Sequence, residues 1–198
     1  MLFRSIERRA AARSLRIWSA ACSTGQEPYS LAMMLKDNFP ILTGWKVEIV
    51  ATDLSPSVLE RARQGIYSTF EVQRGLPIQM LVKHFDQQEP NWQIKRELRQ
   101  TVTFRALNLL EDFSVLGQFD VVLCRNVLIY FDQPTKTRIL SAIARRIAPD
   151  GALLLGGAES VFGLSDAFAG VNGLKGVYGH AKHIKPDPRP TQPLTAVS

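Results

Sequence analysis

The sequence predicts an α/β fold built on a mainly parallel, doubly wound sheet, and three observations carry the prediction. Apolar, strand-length runs alternate with helical patterns along most of the chain. Proline just behind a capping residue opens two of the helices, at Ser55-Pro56 and Asp132-Gln133-Pro134. The first strand breaks into small residues and one glycine before a helix, the kind of corner where doubly wound sheets bind cofactors.

Each element follows from its own signal. Residues 15–20 (Leu-Arg-Ile-Trp-Ser-Ala) form the first strand, and 27–38 the first helix, with Pro28 in its opening turn. Strand 46–52 precedes the capped helix 56–64, and a helical pattern covers 76–86. Residues 87–99, with Gln87, Gln88, Pro90 and Asn91, read as a loop or small insertion before strand 101–106. Strand 119–124 leads to helix 134–148, which Asp150-Gly151 ends before strand 151–156. Segments 166–173 and 176–184 are expected to pair as an antiparallel hairpin through Gly173–Gly176. The organisation expected is a lead-in at 1–14, one domain at 15–184 and a disordered tail at 185–198, which carries four prolines.

Composition narrows the function. A chain of 198 residues with 45% hydrophobic and 21% charged residues is of ordinary single-domain character. No apolar run is long enough for a membrane span, and the basic start lacks the apolar core of a signal peptide. Cys22 and Cys124 lack metal-ligand spacing and read as reduced thiols of a cytoplasmic protein; no metal site is expected. The net charge of +6 invites nucleic acid, but no Lys/Arg run interleaves with aromatics, so a solvated face or an acidic protein partner is preferred.

The candidate chemistry lies at the strand ends. Gly25 stands alone in the first corner, which argues against a pyrophosphate cradle, and the neighbouring carboxylate of Glu27 would repel one. A cationic ligand such as S-adenosyl-L-methionine, with its sulfonium and ammonium groups, suits Glu27; a first-turn glutamate favoured by the helix dipole is the competing reading. Asp53 ends the second strand, where a carboxylate can accept both hydroxyls of a ribose, or else serve the turn before Ser55-Pro56. Asn108 and Leu109 follow the third strand and could bracket an adenine, or form a turn. Asn126 and Val127 follow the buried fourth strand and belong at the same edge.

The wording of these segments carries a resemblance. Trp18-Ser-Ala-Ala-Cys-Ser-Thr-Gly-Gln-Glu-Pro-Tyr-Ser30, Ala51-Thr-Asp-Leu-Ser-Pro56, Arg63-Gln-Gly-Ile-Tyr67, Asn108-Leu-Leu110, Phe119-Asp-Val-Val-Leu-Cys-Arg-Asn-Val-Leu-Ile-Tyr-Phe-Asp132 and Leu155-Gly-Gly-Ala-Glu-Ser160 stand in order. This series resembles the chemotaxis receptor glutamate methyltransferases, the CheR family, over residues 15 to 180. The resemblance implies a Rossmann-like class I methyltransferase fold with a C-terminal antiparallel hairpin. It implies S-adenosyl-L-methionine as cofactor, with Ala21, Gly25, Glu27, Asp53, Asn108, Leu109, Asn126 and Val127 around it. Gly25 would be where the backbone approaches the ligand most closely.

The same resemblance puts Tyr130 beside the transferred methyl group and the cytoplasmic helices of methyl-accepting chemotaxis receptors in the role of substrate. Family members carry a helical domain before the first motif, which partly covers the cofactor and supplies an arginine near the reacting carboxylate. About fourteen residues precede the first strand here, so that arginine is not carried over, and a separate helical domain is a possible partner. Arg125 is the nearby alternative and, with Tyr130, makes the candidate catalytic pair, although its side chain is expected to turn into the fold. Members that tether to a receptor tail do so through a small antiparallel insertion turning on glycines. Residues 87–99 have no glycine, and Phe70-Glu-Val-Gln-Arg-Gly-Leu-Pro77 resembles members that act without the tether. A silent cofactor-binding module of a signalling complex is the alternative function.

Overall fold

The computed structural model describes residues 2–184, with side chains from residue 6 onward. Helix α1 (Leu2–Arg9) precedes β1 (Ser14–Ala20), α2 (Gln26–Asn38), β2 (Lys46–Asp53) and α3 (Pro56–Gln64). A run of short elements follows: β3 (Ile66–Ser68), α4 (Thr69–Gln73), α5 (Ile78–His84), β4 (Phe85–Gln88), β5 (Asn91–Ile94) and α6 (Arg96–Arg99). The chain then continues through β6 (Val102–Ala106), β7 (Phe119–Cys124), α7 (Gln133–Ala144), β8 (Ile147–Leu155), β9 (Phe168–Gly170) and β10 (Val177–His180). The tail expected at 185–198 lies outside the described residues.

Seven strands make the main sheet in the order β6-β2-β1-β7-β8-β10-β9. The first five pair in parallel, and β10 then runs antiparallel to both β8 and β9. Register puts Trp18 between Val50 and Val122, so successive residues of three neighbouring strands point together to one face or the other. Both faces are covered, which is why these strands are apolar almost throughout. Leu15, Ile17, Ile49 and Ala51 meet Leu31, Leu35 and Leu59 of α2 and α3 on one face. Trp18, Val50 and Val122 meet Ile139, Leu140 and Ile143 of α7 on the other, with Trp18 stacked on Phe119.

Local chemistry sets the helix ends. Ser55 caps α3 by accepting from the Val58 N–H, and Gly65 closes that helix in the left-handed region at φ 61°. Asp132 caps α7 through the Thr135 N–H at 3.0 Å, with proline next in the first turn. A helix of 12 residues is marginal alone. Burial of Ile139, Leu140 and Ile143, worth about 1.5–3 kcal/mol each, holds it in place.

Three local expectations are corrected. Residues 87–99 are not a loop: β4 and β5 form a hairpin turning at Glu89-Pro90, β5 also pairs with β3, and α6 follows. A small antiparallel sheet is therefore present here, and its turn uses no glycine. The last parallel strand starts at Ile147, not at residue 151. Its register with β7 shifts between Phe119 and Val121, so Asp150-Gly151 is an irregularity inside the strand and not a helix stop. A Cβ on Gly151 would stand 2.8 Å from the Asp120 carbonyl oxygen, so glycine is what this close approach needs. The lead-in contains α1, which anchors through buried Ile6 and through Arg9, paired with both Asp120 and Asp150.

Candidate functional site

The connectivity reverses beside β1. The chain moves outward from β1 to β2 and β6, then returns to place β7 on the opposite side of β1. The crevice outside the carboxyl ends at such a reversal is where open α/β sheets hold ligands. Two loops flank it, one after β1 and one after β7. Ala21 (φ 55°), Ser23 (φ 50°) and Asn126 (φ 59°) all adopt left-handed backbone there, and only one other non-glycine residue among those described does so. Such residues cost about 1–3 kcal/mol each and persist only where their surroundings hold them.

The loop after β1 is held from several directions. The Cys22 N–H donates to the Thr52 carbonyl at 2.9 Å, and the Ser23 N–H to Asp53 Oδ2 at 2.9 Å. Asp53 Oδ1 accepts the Ser55 N–H at 3.1 Å, so this carboxylate serves the turn. Two accepted bonds still leave lone pairs for a ligand. From the small sheet, the Tyr67 hydroxyl donates to the Thr24 carbonyl at 2.8 Å. Gly25 is crowded by protein: a Cβ there would lie 3.1 Å from Ala62 Cβ and 3.2 Å from the Tyr67 hydroxyl. Its glycine character answers to its φ of 93° and this packing. Burial and the nearby Asp53 charge push the Cys22 thiol up to about 12, and burial raises Cys124 as well. Neither thiol is poised as a nucleophile.

Glu27 joins the two loops. Its Oε1 accepts from the Ser19 hydroxyl at 2.8 Å, and its Oε2 pairs with Arg125 Nη1 at 3.1 Å. Arg125 is thus not turned into the fold. Its side chain is 44% exposed and reaches across the crevice, because the Glu27 carboxylate faces it from the start of α2.

The loop after β7 depends on a residue that sequence reading left without a role. Glu159, 9% exposed, accepts the N–H groups of Asn126 (2.8 Å), Val127 (2.9 Å), Leu128 (2.8 Å) and Gly156 (2.7 Å). A Cβ on Gly156 would stand 2.7 Å from Glu159 Oε2, which explains the glycine after β8. The available signal was an acidic residue just past a buried apolar strand, in Leu155-Gly-Gly-Ala-Glu-Ser160.

The remaining candidates divide. Asn108 makes a turn: its Oδ1 accepts the Leu110 N–H at 3.0 Å and its Nδ2 donates to Glu111 Oε1 at 3.2 Å. Leu109 and Val127 pack partly buried against the Trp18 side of the core. Tyr130 is 79% exposed, in the helical turn Leu128–Tyr130. A cavity of about 850 Å³ opens between the β8 end and the β9–β10 hairpin, with Arg125, Phe162, Lys175 and Tyr178 on its wall. It takes in Arg125 but none of Gly25, Glu27, Asp53 or Asn108, which sit along the open strand edge. No described helix is long and apolar enough to cross a membrane.

The chain is similar to known proteins. The chain is 47% identical over 173 residues to chemotaxis protein methyltransferase 1 of Pseudomonas aeruginosa, covering 85% of this chain and 63% of that protein. It is 42% identical to chemotaxis protein methyltransferase Cher2 of Pseudomonas putida, covering 85% of this chain and 62% of the relative. It therefore spans somewhat under two thirds of these relatives. The crystal structure of a TehB-like SAM-dependent methyltransferase from Corynebacterium glutamicum shares the fold, with a TM-score of 0.50 at 16% identity over 89% of this chain and 85% of that one. Residues 2–177 match the family described as CheR methyltransferase, SAM binding domain, and the chain belongs to that family.

Proposed function

We propose that this chain binds S-adenosyl-L-methionine at the carboxyl edge and carries out methyl transfer to glutamate side chains of chemotaxis receptors. The observation that carries the reading is the pair of carboxylates at neighbouring strand ends, Glu27 after β1 and Asp53 at the end of β2, without a glycine-rich phosphate cradle. Acceptor-only groups suit an ammonium and ribose hydroxyls and oppose a pyrophosphate. In this reading Glu27 takes the ammonium and Asp53 the ribose. Ala21 and Gly25 shape the first loop, Asn108 and Leu109 flank the adenine, and Asn126 and Val127 line the methyl end. When bound, the cofactor would supply an electrophilic sulfonium methyl group with a neutral thioether as its leaving group.

No general base is required, because a glutamate is already ionised at neutral pH. The protein's contribution is alignment, worth up to about 7–11 kcal/mol in well-oriented reactions. Arg125 and Tyr130, exposed beside Asn126, are the side chains assigned to the acceptor. The substrate helices and a cytoplasmic location, suited to the free thiols Cys22 and Cys124, belong to the same proposal.

Calorimetry with S-adenosylhomocysteine tests the binding step. The unmodified chain should bind, and Asp53→Ala should lose about 1.5–3 kcal/mol, the range for hydrogen bonds to a charged group. Unchanged affinity in that variant removes Asp53 from the site. Labelled methyl groups should pass from S-adenosyl-L-methionine to receptor fragments, and binding without transfer would favour the silent module.

A further inference from the structure

We infer that Arg125 is a displaceable latch: it neutralises Glu27 until a ligand ammonium takes that carboxylate, and its guanidinium then becomes available to hold the methyl-accepting carboxylate. The inference rests on the cofactor reading above and adds an order of events to it.

The contacts divide Arg125 into a fixed part and a loose part. Its backbone is tightly placed, between fully buried Cys124 and the N–H groups that Glu159 holds from Asn126 onward. Its side chain is not. The guanidinium makes one hydrogen bond among the described residues, at 3.1 Å to Glu27 Oε2, from a group that carries five N–H donors. The pair is half in water, 44% and 24% exposed, and a pair of that kind exchanges partners at little cost. Ser19, the other partner of Glu27, is neutral, so the guanidinium is what balances the carboxylate in the free protein.

Two surroundings therefore border this one residue. On one side stands Glu27; on the other is the cavity bordered by Lys175 and Phe162, whose wall Arg125 shares. An ammonium on Glu27 replaces the charge that Arg125 provided, so the exchange leaves Glu27 neutralised and moves one cation to the cavity side. A planar guanidinium fork matches a carboxylate with two parallel hydrogen bonds, which is the alignment this reaction lacks in the free protein. The acceptor site is then completed only after the cofactor has bound.

The test uses the whole chain, calorimetry, and three probes: S-adenosylhomocysteine, 5′-methylthioadenosine (which has no amino-acid end) and glutarate as a simple carboxylate. Arg125→Ala should bind S-adenosylhomocysteine about two- to fivefold tighter, because Glu27 is no longer occupied. Its affinity for 5′-methylthioadenosine should not change. Glutarate should tighten S-adenosylhomocysteine binding to the unmodified chain, a coupling that must be reciprocal, and that tightening should vanish in Arg125→Ala and survive in part in Arg125→Lys. Weaker S-adenosylhomocysteine binding in Arg125→Ala would overturn the latch, since Arg125 would then hold the ligand's own carboxylate. Unchanged affinity together with no glutarate coupling in the unmodified chain would also overturn it. No binding of S-adenosylhomocysteine by the unmodified chain would bring down the cofactor reading itself, a result distinct from either.

Discussion

The two loops that flank the crevice solve the same problem in different ways. Both carry left-handed non-glycine residues, Ala21 and Ser23 in the first and Asn126 in the second. The first loop is tied through the Thr52 carbonyl, the Asp53 carboxylate and the Tyr67 hydroxyl, three anchors on two different strands. The second hangs on one side chain, Glu159, which takes four backbone N–H groups. Distributed anchoring tolerates the loss of any one contact. A single hub does not, but it places three consecutive residues, Asn126 to Leu128, in one fixed relation to the end of β8.

The largest expected effect follows from that contrast. Glu159→Ala strips acceptors from four N–H groups at the buried base of the loop, and each hydrogen bond to a charged group is worth about 1.5–3 kcal/mol, though not additively. A stability loss of at least about 3 kcal/mol in urea denaturation is expected, with Glu159→Gln losing less because its amide oxygen still accepts. A loss below about 1 kcal/mol would show that the second loop has anchors beyond this carboxylate.

A smaller effect belongs to the first loop. Gly25→Ala forces an L-residue to φ 93° and sets a Cβ against Ala62, Tyr29 and Tyr67. The expected cost is about 1–3 kcal/mol, with weaker S-adenosylhomocysteine binding as the loop shifts. Tyr67→Phe removes only the bond to the Thr24 carbonyl, and with the other anchors intact should cost about 0.5–1.5 kcal/mol. Should Tyr67→Phe prove as damaging as Glu159→Ala, the first loop also depends on a hub and the contrast between the loops disappears.

What could be read from the sequence divides along the same lines. The parallel strands were legible because burial on both faces makes them short apolar runs, and the helix starts because Ser55 and Asp132 cap before proline. The β4–β5 hairpin was not, since each strand is only four residues long and the turn at Glu89-Pro90 lacks the usual glycine. Helix α1 is only eight residues long, about two turns, too short for a helical repeat to be counted along the sequence. At the carboxyl edge, Asp53 and Asn126 could be placed from their position at the ends of apolar strands. Glu159 gained a role only when β8 lay beside β7, 33 residues separating it from Asn126. The Glu27–Arg125 pair spans 98 residues and crosses the point where the topology reverses, which no local pattern encodes.

That pair bridges the two loops, and the smallest expected effect concerns it. Arg125→Ala removes the ion pair that spans the crevice, yet both partners are part exposed and joined by one hydrogen bond. Exposed pairs of this kind contribute about 0–1 kcal/mol, and here the loops keep their separate anchors. Urea denaturation should therefore place Arg125→Ala within about 0.5 kcal/mol of the unmodified chain, with the same denaturant dependence. Near-neutral stability is what a contact must have if a ligand is to break it without disturbing the fold. A loss above about 1.5 kcal/mol would make the pair a third structural anchor shared by both loops. The two would then be mechanically coupled, and the first loop's distributed anchoring would have to be counted together with the second loop's single hub.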